Sequence, residues 1–285
     1  MASNVTRLVA ITALLVATSV LLVPQALGGG PILNKKVAAE VPAAYKTKGT
    51  LTVAADATYA PNEFIASNGK TVIGMDADLA KALGIVMGLK VKVVNATFDS
   101  IIPGLAAHKY DLGMSSFTDT KARQKVVDFV TYFSAGTSFY VKKAGGPAIL
   151  SLANLCGHTV AVEKGTTQQA DATAQGKKCK VNVAAYPDQN GVNLALSSGR
   201  AQVAMADSPV AAYQVTQSKG QFKLSGKPYG TAPYGIAIPK KSGLVVPVRD
   251  ALRVLMKSGA YKAILTRWQV QQGAISNPKI NAAVS

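Results

Sequence analysis

Apolar residues recur along this chain in two rhythms, short alternating β-rich runs and longer stretches with a three-to-four-residue spacing. Residues 50–55 (TLTVAA) alternate and predict a first strand. That strand ends before Pro61, which disfavours helix at Ala60. Asn68-Gly69, between Phe64-Ile65 and Val72-Ile73, predicts a hairpin turn. Leu79, Leu83 and Val86 then recur at helical spacing, giving a helix through Leu89 with Asp76 as its cap. A strand at 91–94, a short helix at 101–107 and a buried strand at 112–114 follow. Residues 118–120 carry capping side chains for a helix with Arg123 on its first turn, and strands at 126–132 and 138–141 come next.

The Gly/Pro-containing break at 142–147 reads as a crossing into a second lobe, where the pattern restarts. It predicts a strand at 159–162, a helix opening at 163–168, a strand at 181–185 and a helix at 189–197. A strand at 201–206 ends at Asp207, and Ser208-Pro209 starts another helix. Residues 222–224 and 227–233 read as the return crossing, 234–238 as a first-lobe strand, and 244–258 with 261–268 as a terminal helix pair. Trp268 has core spacing and receives a packing role. Strands alternating with helices argue an α/β fold with mostly parallel strands. Ligands of such sheets lie beyond the C-terminal strand ends, where Asp56, Phe98 and the hydroxyls of 115–118 should cluster.

Composition changes the picture at the ends and at the surface. The chain has 285 residues and a formal net charge of +17, yet no Lys/Arg run exceeds two residues and aromatics do not interleave with the basic positions. The charge reads as a solvated surface rather than a nucleic-acid platform, so no nucleic-acid partner is expected. Arg7, the apolar stretch 8–23, Pro24 and the small residues of 25–28 have the layout of a signal peptide, which places the mature chain in the periplasm or outside the cell. A retained anchor is the alternative, although the apolar run falls short of the ~20 residues of a membrane span. Residues 29–48 read as a tether. In an exported chain, Cys156 and Cys179 suggest one disulfide. His108 and His158 have no metal-ligand spacing, so no metal or cofactor is expected.

The stretch 110–133 carries the candidate chemistry. Ser115, Ser116 and Thr118, open N–H groups at a helix start and the guanidinium of Arg123 converge at a strand end. Such a set suits a carboxylate, because arginine offers a planar bidentate pair and the helix start adds favourable potential. An ordinary surface arginine after an ordinary cap would show the same residues.

This stretch resembles the carboxylate-binding block of the periplasmic solute-binding proteins for polar amino acids, the capture subunits of ABC importers. GMDADLA (74–80), FDSIIPGL (98–105), VAVEKGTTQ (160–168), YGIAIPK (234–240) and LRVLMKSGAYKAILTRW (252–268) resemble further blocks of that family in order. The resemblance implies a two-lobed, periplasmic-binding-protein-like α/β fold of type II with two crossover strands as hinge. Its expected boundaries are 49–141 with 229–272 for one lobe and 142–228 for the other, leaving a tail at 273–285. It implies a monomer that delivers an amino acid to a membrane permease.

Ser116, Phe117, Thr118 and Arg123 fall in the block whose Ser/Thr pair and arginine hold the ligand carboxylate. Tyr59 and Phe98 would sandwich the side chain, Asp56 would meet its distal end, Thr166, Thr167 and Gln168 would complete the pocket, and Asp207 would take the α-ammonium. Glu163 and Asn62-Glu63 depart from the family pattern. With Asp56 and Glu163 both facing the pocket, a basic ligand such as arginine, lysine or ornithine is expected, with glutamine or another neutral amino acid as the alternative. A dehydratase-like enzyme on the same scaffold is the rival class. The Arg123–Asp207 pair argues against it, and no nucleophilic triad supports hydrolysis.

Overall fold

The computed structural model describes residues 30–284. Its elements in chain order begin with α1 (Lys35–Glu40), α2 (Ala43–Lys48), β1 (Thr50–Ala55), β2 (Thr58–Tyr59), β3 (Glu63–Ile65) and β4 (Val72–Ile73). Next come α3 (Met75–Met87), β5 (Lys90–Asn95), α4 (Phe98–Ala106), β6 (Leu112–Gly113), α5 (Lys121–Gln124) and β7 (Val127–Lys142). A 3₁₀ turn at Leu152–Leu155 leads to β8 (Thr159–Glu163), α6 (Thr167–Gly176), β9 (Asn182–Tyr186), α7 (Gln189–Ser197), β10 (Val203–Asp207) and α8 (Ser208–Gln217). The chain then returns through β11 (Phe222–Pro239) to α9 (Val245–Ser258) and α10 (Ala260–Arg267).

Eight strands form one sheet in the order β5-β1-β6-β11-β7-β10-β8-β9, and β2-β3-β4 form a small second sheet. β1 runs parallel to β5 and β6, and β8 runs parallel to β9 and β10, so each half of the sheet is built from βαβ units. α3 packs through Leu79, Leu83 and Val86, all fully buried, against Leu51, Val53 and the α9 residues Leu252 and Leu255. Each such side chain contributes about 1.5–3 kcal/mol through burial. On the opposite face, Ile101 and Leu105 of α4 pack with Phe117 and Phe129. The second half has its own cores, one around Tyr140, Val192, Leu196 and Val210, the other around Phe139, Val160, Val162 and Met205.

The passage between halves differs from expectation. β7 is one 16-residue strand and β11 one 18-residue strand, paired antiparallel along almost their whole length. The chain therefore changes lobe inside β7, where pairing to β10 begins at Thr137, and not at the 142–147 break. Register shifts between Ser225 and Tyr229, and again between Tyr229 and Ala232, mark the same level in β11. Gly136 is required there, because a Cβ would stand 2.7 Å from the Tyr229 carbonyl oxygen.

Other departures are local. Residues 35–48 are not a tether: they form α1 and α2, with Val37 and Val41 buried in the first-lobe core. Asp76 is not a helix cap; Gly74 occupies that position with no side-chain cap. α4 starts at Phe98, three residues early, and accommodates Pro103 in its interior. The tail pairs with the lobe-one half of β7, since Thr131 N–H donates to Lys279 O at 2.8 Å and Asn281 N–H donates to Phe129 O at 3.0 Å. That contact covers what would otherwise be an open strand edge. Cys156 and Cys179 form the expected disulfide, with Cα atoms 5.7 Å apart. Trp268 packs edge-on to Phe64 and donates its indole N–H to Asp78. The leader expected in 1–28 lies outside the described residues; among those described, no helix is long and apolar enough to cross a membrane.

Candidate ligand site between the lobes

The strand ends of both lobes face one another. β1 ends at Ala55, one residue before Asp56, β8 ends at Glu163 and β10 at Asp207, and the starts of α4, α6 and α8 lie beside them. The inner cavity between these ends is lined by Tyr59, Phe98, Ser116, Thr118 and Arg123 from one lobe, and by Glu163, Thr166, Thr167, Gln168 and Asp207 from the other. It adjoins a larger cleft of about 570 Å³, bounded by Thr137, Asp171, Tyr229 and Thr231 and sharing Thr118, Arg123, Thr166, Thr167 and Asp207. Of the twelve residues read from sequence, Asp56 and Phe117 do not line the cavity. Phe117 lies behind Phe98, stacked at 4.5 Å between ring centroids.

Arg123 sits over the faces of Phe98 and Phe117, its guanidinium carbon 5.2 and 5.4 Å from their centroids. It donates to Thr118 O at 2.8 Å and, across the lobe gap, to Gly165 O at 3.1 Å. Burial lowers it to about 10, opposed by the charge of Asp207, and it stays cationic at neutral pH. Gly165 reaches its position at φ +80°, which suits glycine, and a Cβ there would stand 3.0 Å from Asp99.

Asp207 lies opposite. Its side chain caps no helix; it accepts from Gln168 Nε2 at 2.8 Å, while its N–H donates to the Tyr59 hydroxyl at 2.9 Å. Burial raises its carboxyl to about 6, so it is an anion at neutral pH and faces Arg123 with the opposite charge. Thr166 caps α6, accepting from Gln169 N–H at 3.2 Å and donating to Glu163 O at 2.6 Å.

Asp56 is turned away from the cavity, accepting from the Thr58 hydroxyl at 2.6 Å and from Phe98 N–H at 2.9 Å. Its charge, after burial, is the largest cause that pushes the Glu163 carboxyl well above the usual carboxylate range. Further contacts hold the lobes together: Gln189 N–H donates to Thr58 Oγ1 at 3.1 Å, and Lys164 pairs with Asp99 at 2.8 Å.

A second acid pair lies beneath the hydroxyls, and sequence reasoning missed it. Glu63 and Asp76 are fully buried. Glu63 accepts from Ser115 Oγ at 3.0 Å and from Ser116 Oγ at 3.2 Å. Asp76 Oδ2 accepts from Ser116 N–H at 2.9 Å and from Tyr132 OH at 2.8 Å. Burial, then Asp76, raise Glu63 well above its ordinary value, and burial takes Asp76 to about 6, so one proton is shared between them. Together they hold Ser116 at φ +53°, a conformation L-residues seldom adopt. The available signal was Asp76 inside an otherwise apolar run, Gly74-Met75-Asp76-Ala77.

A two-lobed α/β chain with two long shared strands and an oppositely charged pair facing across the cleft defines a binding protein of the type that holds a small solute between its lobes. The chain belongs to the bacterial extracellular solute-binding proteins, family 3, whose profile matches residues 51–271. It is 32% identical over 254 residues to the arginine-binding protein ArgT of Corynebacterium glutamicum, covering 86% of this chain and 83% of that one. It is 32% identical over 196 residues to the lysine/arginine/ornithine-binding periplasmic protein of Escherichia coli, covering 68% and 72%. Its fold matches an ancestral arginine-binding protein bound to arginine, with TM-score 0.74 and 36% identity over 77% of this chain and 98% of that one. It also matches the ancestral amino acid-binding protein AncCDT-1, a precursor of cyclohexadienyl dehydratase, with TM-score 0.73 and 35% identity over 79% and 97%. The relatives named here are binding proteins.

Proposed function

We propose that the chain captures an L-amino acid with a cationic side chain between its lobes and hands it to the membrane permease of an ABC importer. One observation carries the reading: Arg123 and Asp207, of opposite charge and from opposite lobes, line one cavity. A zwitterion pairs both buried charges at once, its carboxylate with Arg123, Ser116 and Thr118 and its ammonium with Asp207. Tyr59 and Phe98 flank the side chain, Thr166, Thr167 and Gln168 close the second-lobe wall, and Glu163, with Asp56 behind it, supplies the acidic end. The binding of arginine, lysine or ornithine named for the relatives supports the basic choice.

Ligand binding stabilises the closed arrangement by its greater affinity for it, with β7 and β11 bending at the level of Gly136 and Tyr229. The chain works outside the cytoplasmic membrane as a monomer and carries out no reaction on its ligand. A thermal-shift panel of the common amino acids tests the proposal. Arginine or lysine should raise the midpoint, and Arg123→Ala and Asp207→Ala should abolish the shift. A shift confined to glutamine would keep the zwitterion clamp and overturn the basic choice. A response to cyclic carboxylic acids with turnover, and to no amino acid, would replace binding by dehydration.

A further inference from the structure

Glu163 enters the cleft as an acid for which none of the described residues around it supplies a cation. It ends β8, lines the inner cavity and is 2% exposed, and its Oε1 is sealed from solvent without accepting a hydrogen bond. Asp56, also 2% exposed, stands against it from the other lobe with its oxygens held by Thr58 and Phe98. The charged and titratable groups around Glu163 offer no relief. Asp188 and Asp207 add negative charge. Tyr59 and Tyr140 are buried phenols kept neutral by desolvation. Arg123 is engaged with Thr118 O and Gly165 O, and neighbouring Lys164 is turned outward onto Asp99. Two carboxyls in such contact cannot both ionise, so one proton remains between them.

The geometry points to an exchange of proton for cation: a cationic amino-acid side chain that reaches Glu163 displaces the proton it shares with Asp56. The proton leaves the Glu163 carboxyl for solvent, and the resulting carboxylate pairs with the incoming guanidinium or ammonium. The charge enclosed at that end of the cavity is unchanged by the exchange, and Glu163 gains the buried charged partner that it lacks in the unliganded chain. A neutral side chain leaves the proton in place and finds a hydrogen-bond donor instead. Glu163 thereby becomes the residue that separates basic from neutral ligands. The inference rests on the amino-acid reading of the cleft and narrows it to cationic side chains.

Calorimetry with arginine, repeated in buffers of different ionisation enthalpy near pH 7.5, counts the protons released. Asp207 titrates near 6 and contributes little there. The wild-type chain should release about one proton per arginine, and its affinity should rise about tenfold per pH unit while Glu163 is protonated in the unliganded state. Glu163→Gln should release none, bind arginine more weakly and show no such slope. Equal proton release by the two proteins, or none from the wild type where the variant does not bind, overturns the exchange even when arginine binds well.

Failure of arginine to bind the wild type would instead count against the amino-acid reading, and the shared proton then has its own readout. A carboxyl whose folded value is raised contributes stability that is present at low pH and lost as pH rises. The unliganded wild type should therefore lose melting temperature relative to Glu163→Gln between pH 5 and pH 8. A pH-independent difference overturns the shared proton.

Discussion

Replacing Asp76 with alanine separates a strut from a cap. If Asp76 were only a helix cap, its loss would cost about 1 kcal/mol and leave the cleft alone. The structure assigns it a different duty, since Oδ2 accepts from both Ser116 N–H and Tyr132 OH at a site without solvent. Alanine strands both donors, each at about 1–3 kcal/mol, so the variant should lose roughly 2–6 kcal/mol of stability. For a chain of this size that corresponds to a fall in melting temperature on the order of 10 °C. Ser116 also loses the bond that holds its positive φ, and with it the placement of a cavity residue proposed to meet the ligand carboxylate. Affinity for the amino acid should drop tenfold or more among molecules that remain folded. Urea denaturation gives the first quantity and calorimetry below the unfolding transition gives the second. A loss near 1 kcal/mol with unchanged affinity would refute the strut.

Three further outcomes follow from the same geometry. Arg123→Lys keeps the charge but gives up the two-pronged donor that reaches Thr118 O and Gly165 O, and should weaken amino-acid binding by about 2–3 kcal/mol in calorimetry, with little change in melting temperature. Cys156→Ser with Cys179→Ser opens a loop of 23 residues and should cost about 3 kcal/mol in urea denaturation, with the ligand site intact. Asp56, Glu63, Asp76, Glu163 and Asp207 are all raised, burial first among the causes, so the folded chain holds more protons than the unfolded chain in the window above their ordinary values. Stability of the unliganded protein should therefore decline from about pH 5 toward neutrality, and a melting temperature that climbs over that range would contradict the assignment.

The periodicity of Leu79, Leu83 and Val86 and the alternation of 50–55 were enough to place α3 and β1, because burial on one face writes itself into spacing. The meeting of Arg123 and Asp207 in one cavity was expected from the family resemblance, whereas the strand-end rule by itself pointed to Asp56, Phe98 and the hydroxyls of 115–118. The long strands were less legible. Gly136 and the Gly226-to-Gly230 stretch interrupt β-rich composition in β7 and β11, although pairing between the strands carries both through the lobe change. Buried acids were the least legible. Asp76 reads as a cap and Asp56 as a pocket residue from local sequence, because the partners that redirect them lie 40 to 56 residues away in the chain. The helices of 35–48 were missed for a simpler reason: Val37 and Val41 are two apolar contacts in a short, lysine- and alanine-rich run.

The central claim is that oppositely charged residues from the two lobes clamp one amino acid. Calorimetry of the purified chain with L-arginine, beside Arg123→Ala and Asp207→Ala, tests it most directly. The account predicts saturable one-to-one binding by the wild type, lost in both variants while their circular dichroism stays native. Binding that survives either substitution, or wild-type silence toward arginine, lysine, ornithine and glutamine alike, would contradict it.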